Sequence, residues 1–213
     1  AGETAANMEK RQEYAQAFVR LNSADLSAMF FMDKVGFSLS MCHAYGYSQR
    51  GSRAITTVPR IWSKNLTVMA LIGKPHGNPP EEKVLVWKLL PQAGNKTECR
   101  IFFEEVFQHF QQRGIKKGTI VLDNVRFHHS EEVTQLFPED GPYKLLYLPP
   151  YTPDFNPIET MFSQWKEGVC RARFRTEEEL EGAIASAADT ITAKNISGHI
   201  EKAVDKCIEC ISR

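Results

Sequence analysis

Leu148-Pro-Pro-Tyr-Thr-Pro-Asp-Phe-Asn-Pro-Ile-Glu159 separates a strand-bearing part of the chain from a helical one. Tyr143–Leu148 reads as the last strand, and Pro149, Pro150 and Pro153 cannot donate to a ladder beyond it. Asn156 is a favoured N-cap and Pro157 suits the first helical position, so a helix is predicted to start there. Glu159 falls in its first turn, where the macrodipole favours a negative charge. The simplest reading of Glu159 is therefore a helix-start acid, worth roughly a few tenths of a kcal/mol. Ile158, Phe162, Trp165 and Val169 continue an apolar helical face. A capping box, Thr176-x-x-Glu179, opens the next helix, and Ile196–Ile211 forms a last one.

Upstream, Thr119–Asp123 is a predicted strand that ends on a second acid, with 35 residues between Asp123 and Glu159. Ile101–Arg113 places Phe102, Phe103, Val106, Phe107 and Phe110 at helical spacing as core packing, and Gly114 stops that helix. Ala28–Asp33 is almost wholly apolar, as in a central strand buried on both faces, and ends on a third acid. Ser38–His43 and Leu66–Ile72 are predicted as its neighbours, and Lys83–Leu90 as a strand at the sheet edge. Residues 1–22 read as a polar helix with Tyr14, Phe18 and Leu21 on one face. Strands interleaved with helices predict a mixed α/β sheet, in which ligands gather beyond the carboxyl ends of strands.

Three carboxylates from distant segments, Asp33, Asp123 and Glu159, are what a site for two hard divalent cations needs. Length and composition suit one globular domain: 213 residues, 42% hydrophobic and 24% charged, are enough to bury a sizeable core. No apolar run approaches the ~18 residues of a membrane span, and the start lacks the features of a signal peptide. The five cysteines are scattered, and the Cys207-x-x-Cys210 pair has no companion at zinc spacing, so it reads as core packing in a reducing compartment.

Three blocks resemble the catalytic domain of mariner-type transposases and their bacterial insertion-sequence relatives, in the DDE superfamily. They are Phe31-Met-Asp-Lys-Val-Gly-Phe37 continuing to Tyr45-Gly-Tyr-Ser-Gln-Arg-Gly51, Leu122-Asp-Asn-Val-Arg-Phe-His-His-Ser130, and Leu148 to Glu159. The resemblance covers roughly residues 28 to 170. It implies a ribonuclease H-like mixed sheet flanked by helices, with residues 1–25 as a helical linker tail and 26–213 as the catalytic domain. It implies cutting of DNA strands at transposon ends and joining of the 3′-hydroxyl to target DNA, by in-line displacement at a phosphodiester. Two Mg²⁺ ions, or Mn²⁺ in their place, would be held by Asp33 as the bridging ligand and by Asp123 and Glu159. Asn124 and His128 would orient a carboxylate or touch the scissile phosphate, or else merely form the turn after the strand. The expected partners are transposon-end and target DNA and, in the full-length protein, a second copy. The expected location is intracellular, the nucleus in a eukaryote or the cytoplasm in a bacterium. Competing readings are a domesticated descendant that binds DNA or protein without cutting, and a non-transposing nuclease of the same fold. Many relatives carry an acid directly after the first catalytic Asp, where this chain has Lys34.

Net charge is +0, which is low for a nucleic-acid enzyme; the distribution is uneven. No Asp or Glu occurs from Lys34 to Pro80, a stretch that carries Lys34, Arg50, Arg53, Arg60, Lys64 and Lys74. Lys166, Arg171, Arg173 and Arg175 follow the third acid. Either cluster alone would read as a solvated face. Flanking three carboxylates, Lys34, Arg50, Arg53, Arg60, Lys64, Lys166, Arg171 and Arg173 are read as contacts to DNA backbone. Tyr151 and Trp165 are read as structural side chains rather than as base-stacking ones.

Overall fold

The computed structural model describes residues 5–24, 29–41, 48–53, 55, 65–73, 83–91, 94–124 and 130–212. At its centre is β1 (Met29–Phe37), where Phe30, Phe31 and Met32 are fully buried. An uninterrupted apolar run of this kind is stable only with both faces covered. β2 (Leu66–Gly73) pairs antiparallel with β1, and β3 (Val84–Leu90) antiparallel with β2 at one edge. The chain then crosses over through helix α2 (Lys96–Gln112) to β4 (Gly118–Leu122), which runs parallel to β1. A short helix, α3 (Glu131–Thr134), leads to β5 (Tyr143–Tyr147), parallel to β4 at the other edge. The order is β3-β2-β1-β4-β5, with the predicted edge position of β3 as observed.

Alternation along β1 sends its side chains to two separate cores. Met29, Phe31, Val35 and Phe37 pack with helices α4 (Pro157–Cys170), α5 (Glu177–Thr190) and α6 (Ala193–Ile211). Phe30 and Met32 face α2, where Cys99, Phe102, Phe103, Val106 and Phe110 are buried. The Phe30 and Phe110 ring centroids are 4.3 Å apart. Gly73 has to be glycine for this face to close, because a Cβ there would lie 2.3 Å from Cδ1 of Phe30. On the other face Trp165 sets its indole edge-to-face against Phe37 and Trp87, with centroids 5.7 and 5.6 Å away. Its Nε1–H donates to the Ile184 carbonyl at 2.9 Å, which satisfies the polar end of a buried ring.

The segment expected as a linker tail forms helix α1 (Ala5–Ala24), and it packs Tyr14, Ala15 and Phe18 into the α4–α6 core. Tyr14 stacks on Phe155 with centroids 5.9 Å apart, so α1 is tied to the segment preceding α4.

Three predicted elements change most, while α6 starts at Ala193 rather than Ile196. The strand expected to end at Asp33 continues to Phe37, because Val35 and Phe37 find antiparallel partners in Val68 and Leu66. The strand expected over Ser38–His43 is a turn through Met41, whose N–H donates to the Ser38 carbonyl at 3.1 Å; residues 42 and 43 lie outside the described residues. The Ser38 and Ser40 hydroxyls bond each other at 2.8 Å, a local alternative to a ladder. Helix α2 starts at Lys96 rather than Ile101, because the Asn95 side chain accepts the Glu98 N–H at 3.0 Å and caps it. No described helix is long and apolar enough to cross a membrane.

Candidate active site

The parallel pair β1–β4 brings the first two acids together. Phe31 is level with Val121 in the register, and Asp33 and Asp123 each follow by two residues. Neighbouring strands run about 4.8 Å apart, so the pairing brings the backbones that carry the two acids next to each other. Asp33 lies inside β1, opposite Ala70 of β2, and is only 8% exposed. β4 has ended by Asp123, whose Oδ1 is withdrawn from solvent. The Leu148 N–H still donates to the Leu122 carbonyl at 2.8 Å, and the two prolines that follow end the pairing.

The third acid arrives on α4. Glu159 occupies its first turn, exposed, with its N–H donated to the Asn156 carbonyl at 3.2 Å. The predicted position of the helix start holds, but the predicted capping bond does not form. The Asn156 side chain instead donates Nδ2–H to Oδ2 of Asp33 at 3.1 Å. The other oxygen, Oδ1, accepts the Lys34 backbone N–H at 2.7 Å. Asn156 thus ties the turn that carries Glu159 to the strand that carries Asp33.

Lys34 is next to Asp33 in sequence, but alternation sends its side chain to the α2 face. Its stem passes Gly94, and its charge is felt by Cys99. Burial pushes the Cys99 thiol up to about 12, Lys34 pulls it down and Asp123 raises it further. Asn124 follows Asp123 at an exposed position, and His128 lies outside the described residues. Arg50 and Arg53 are exposed on a turn closed by the Ser52 N–H to the Gln49 carbonyl at 2.9 Å. Arg60 and Lys64 lie outside the described residues. Lys166 is half-buried on α4, Arg171 is exposed and pairs with Glu167, and Arg173 is exposed with φ 49°.

Tyr151 differs from its expected structural role: it is 80% exposed, at φ 60°, in the loop before α4. A bulky residue in the left-handed region is a strained one. Trp165 is structural, as expected. So is Cys207, fully buried with its thiol pushed up to about 12 by burial and then by Cys210.

The donors at Asp33, Asp123 and Glu159 are all carboxylate oxygens, which fit a hard divalent cation rather than a soft one. The Oδ1 of Asn156, beside Asp33, is buried and accepts no hydrogen bond from the described residues. Among the described residues no three His, Cys, Asp or Glu side chains stand close enough together to hold a metal ion. Asp33, Asp123 and Glu159, all described, thus do not form such a group here, and it is only the carboxylate chemistry of the donors that fits a hard divalent cation.

A family model described as DDE superfamily endonuclease matches residues 28–181. No curated protein matches the chain by sequence. Solved structures match it throughout. Against the Mos1 mariner paired-end complex with Mn the TM-score is 0.80 at 15% identity, covering 100% of this chain and 63% of that one. Against the catalytic domain of Mos1 mariner transposase it is 0.75 at 12% identity, covering 100% of this chain and 95% of that one. The chain thus spans 63% of the transposase chain in the paired-end complex, and nearly all of the isolated catalytic domain. At such identities the likeness is one of fold. The mixed five-stranded sheet with helices on both faces is the ribonuclease H-like architecture.

Proposed function

As the chain belongs to the DDE superfamily endonucleases, we propose that it is the catalytic domain of a mariner-type transposase. In this reading it cuts DNA strands at transposon ends and joins the freed 3′-hydroxyl to target DNA. The observation that carries the reading is the parallel pairing of β1 and β4, whose last shared rung, Phe31–Val121, lies two residues before both Asp33 and Asp123, within the segment that matches the family. Related solved structures support it: one is a Mos1 paired-end complex with the left transposon end, and others contain Mn or Mg.

Asp33, Asp123 and Glu159 would hold the divalent cations, two Mg²⁺ or Mn²⁺. When bound, these supply charge that lowers the pKa of the attacking oxygen and stabilises the leaving one. The chain's own part is to keep the carboxylates in place and to seat the phosphodiester. The Lys34 N–H and the Asn156 amide hold Asp33 at fixed orientation. Lys34, Arg50, Arg53, Arg60, Lys64, Lys166, Arg171 and Arg173 would supply phosphate contacts, which position DNA without reading its sequence. Asn124 and His128 would orient Asp123 or the scissile phosphate. In this reading residues 1–25 belong to the connection from a DNA-binding domain, 26–213 are the catalytic domain, the full-length protein works as a homodimer, and its place is intracellular.

A strand-transfer assay with pre-cut ends and Mg²⁺ or Mn²⁺ tests the reading. Joined product that disappears in chelator is the expected result. Tight DNA binding with neither cleavage nor joining would favour the domesticated, non-cutting descendant.

A further inference from the structure

Helices α4, α5 and α6 open on the same spacing, an N-cap side chain with a carboxyl or amide side chain three residues on. At α5 the box is closed in both directions between Thr176 and Glu179, and at α6 between Thr192 and Asn195. At α4 the pair Asn156 and Glu159 leaves it open. Asn156 is 3% exposed, and it gives its amide to Asp33, across 123 positions of sequence. Only Nδ2 can face a carboxylate oxygen as a donor, so this contact fixes which way the amide lies. The flipped amide would set two acceptors against each other.

Asp33 accepts from the Asn156 amide on Oδ2 and from the Lys34 N–H on Oδ1. Rotation about the Asp33 side chain would break both bonds, so the carboxylate plane is set by the protein before any ligand arrives. A local rule broken without local gain marks a functional position.

We infer that Asn156 is a positioning residue for Asp33, giving up its place as the cap of α4 to hold that carboxylate ready for a cation. The inference rests on the proposed role of Asp33 as a cation ligand. Partners that orient a ligating carboxylate typically change metal affinity by about 10–100-fold when lost. A residue that only started the helix would behave differently, since Ser serves as an N-cap about as well as Asn.

The test is Mn²⁺ binding to the purified chain by calorimetry, for wild type, Asp33→Asn, Asn156→Ser and the double variant, with thermal melting alongside. Asn156→Ser is expected to weaken Mn²⁺ about 10–100-fold while melting close to wild type. On the Asp33→Asn background the serine should cost nothing further, because Asn156 acts through Asp33. Unchanged Mn²⁺ affinity in Asn156→Ser, with Asp33→Asn weakened, overturns the positioning role and leaves the metal site standing. An additive loss in the double variant also overturns it. Wild type binding no tighter than Asp33→Asn sinks the metal-site reading, and the positioning role falls with it. If the serine variant does not fold, Asn156→Thr carries the same readings.

Discussion

Asp33 and Asp123 each stand two residues beyond Phe31 and Val121, the last rung that the parallel strands β1 and β4 share. Ninety positions of sequence separate them, and one parallel strand pair brings their segments together. Without a cation, two such carboxylates repel. As Asp123 is a cation ligand in the proposed reading, Asp123→Asn should abolish cleavage, by more than the roughly hundredfold that outer partners cost. The same variant should melt slightly higher than wild type in chelator. Cleavage retained by purified Asp123→Asn would refute the assignment.

The Arg50–Arg53 turn is exposed and free of acids in its sequence neighbourhood. If about four cations of the chain touch phosphate, log affinity for DNA should fall against log salt with a slope near −3.6, at about −0.9 per contact. Changing both Arg50 and Arg53 to Ala should flatten that slope by up to about two contacts. A titration with the same slope for wild type and double variant would make this turn a solvated face.

Trp165 joins the sheet to α4 and α5 through Phe37, Trp87 and the Ile184 carbonyl. Trp165→Ala should cost about 3–5 kcal/mol, the usual range for removing a buried large aromatic. At about 2–4 °C per kcal/mol for a domain of this size, the melting temperature should drop by roughly 6–20 °C. A drop of only a degree or two would show that this cluster contributes little to the core.

His199 of α6 bonds the Thr160 hydroxyl through Nδ1 at 2.9 Å and Oε1 of Gln164 through Nε2 at 2.8 Å. Burial, and then Lys202, lowers its pKa from the ordinary value. The unfolded chain therefore takes up the proton first, so the stability tied to neutral His199 is whole above about pH 6.5 and is lost as pH falls through the folded pKa. Between about pH 7.5 and about pH 5.5, His199→Gln should lose less melting temperature than wild type. Parallel melting curves for the two proteins across that range would exclude the effect.

Local patterns in the sequence located most elements and the acids on them. The β1 apolar run, the α2 phenylalanine stripe and the Thr176–Glu179 box are where periodicity and capping chemistry placed them. The α2 start was also legible, in Asn95 and Glu98 three residues apart, a signal overlooked beside the stronger aromatic pattern. The turn after Phe37 was not, because Ser38–Met41 reads as alternating, while in the structure the Met41 N–H bonds the Ser38 carbonyl and the two serine hydroxyls bond each other.

By itself, then, the sequence determined most of the helices and strands, and which three acids stand at element ends or near them. These follow from side-chain spacing and from caps, which act over three or four residues. Only the tertiary structure decided that β1 runs on past Asp33 to pair with β2, that Lys34 turns to the face opposite Asp33, and that Asn156 leaves its helix to bond Asp33. Those outcomes depend on which strand lies beside which and on what a side chain meets 123 positions away. A buried donor bonds the strongest acceptor that packing brings within reach. For Asn156 that acceptor is the carboxylate of another element rather than a backbone group of its own.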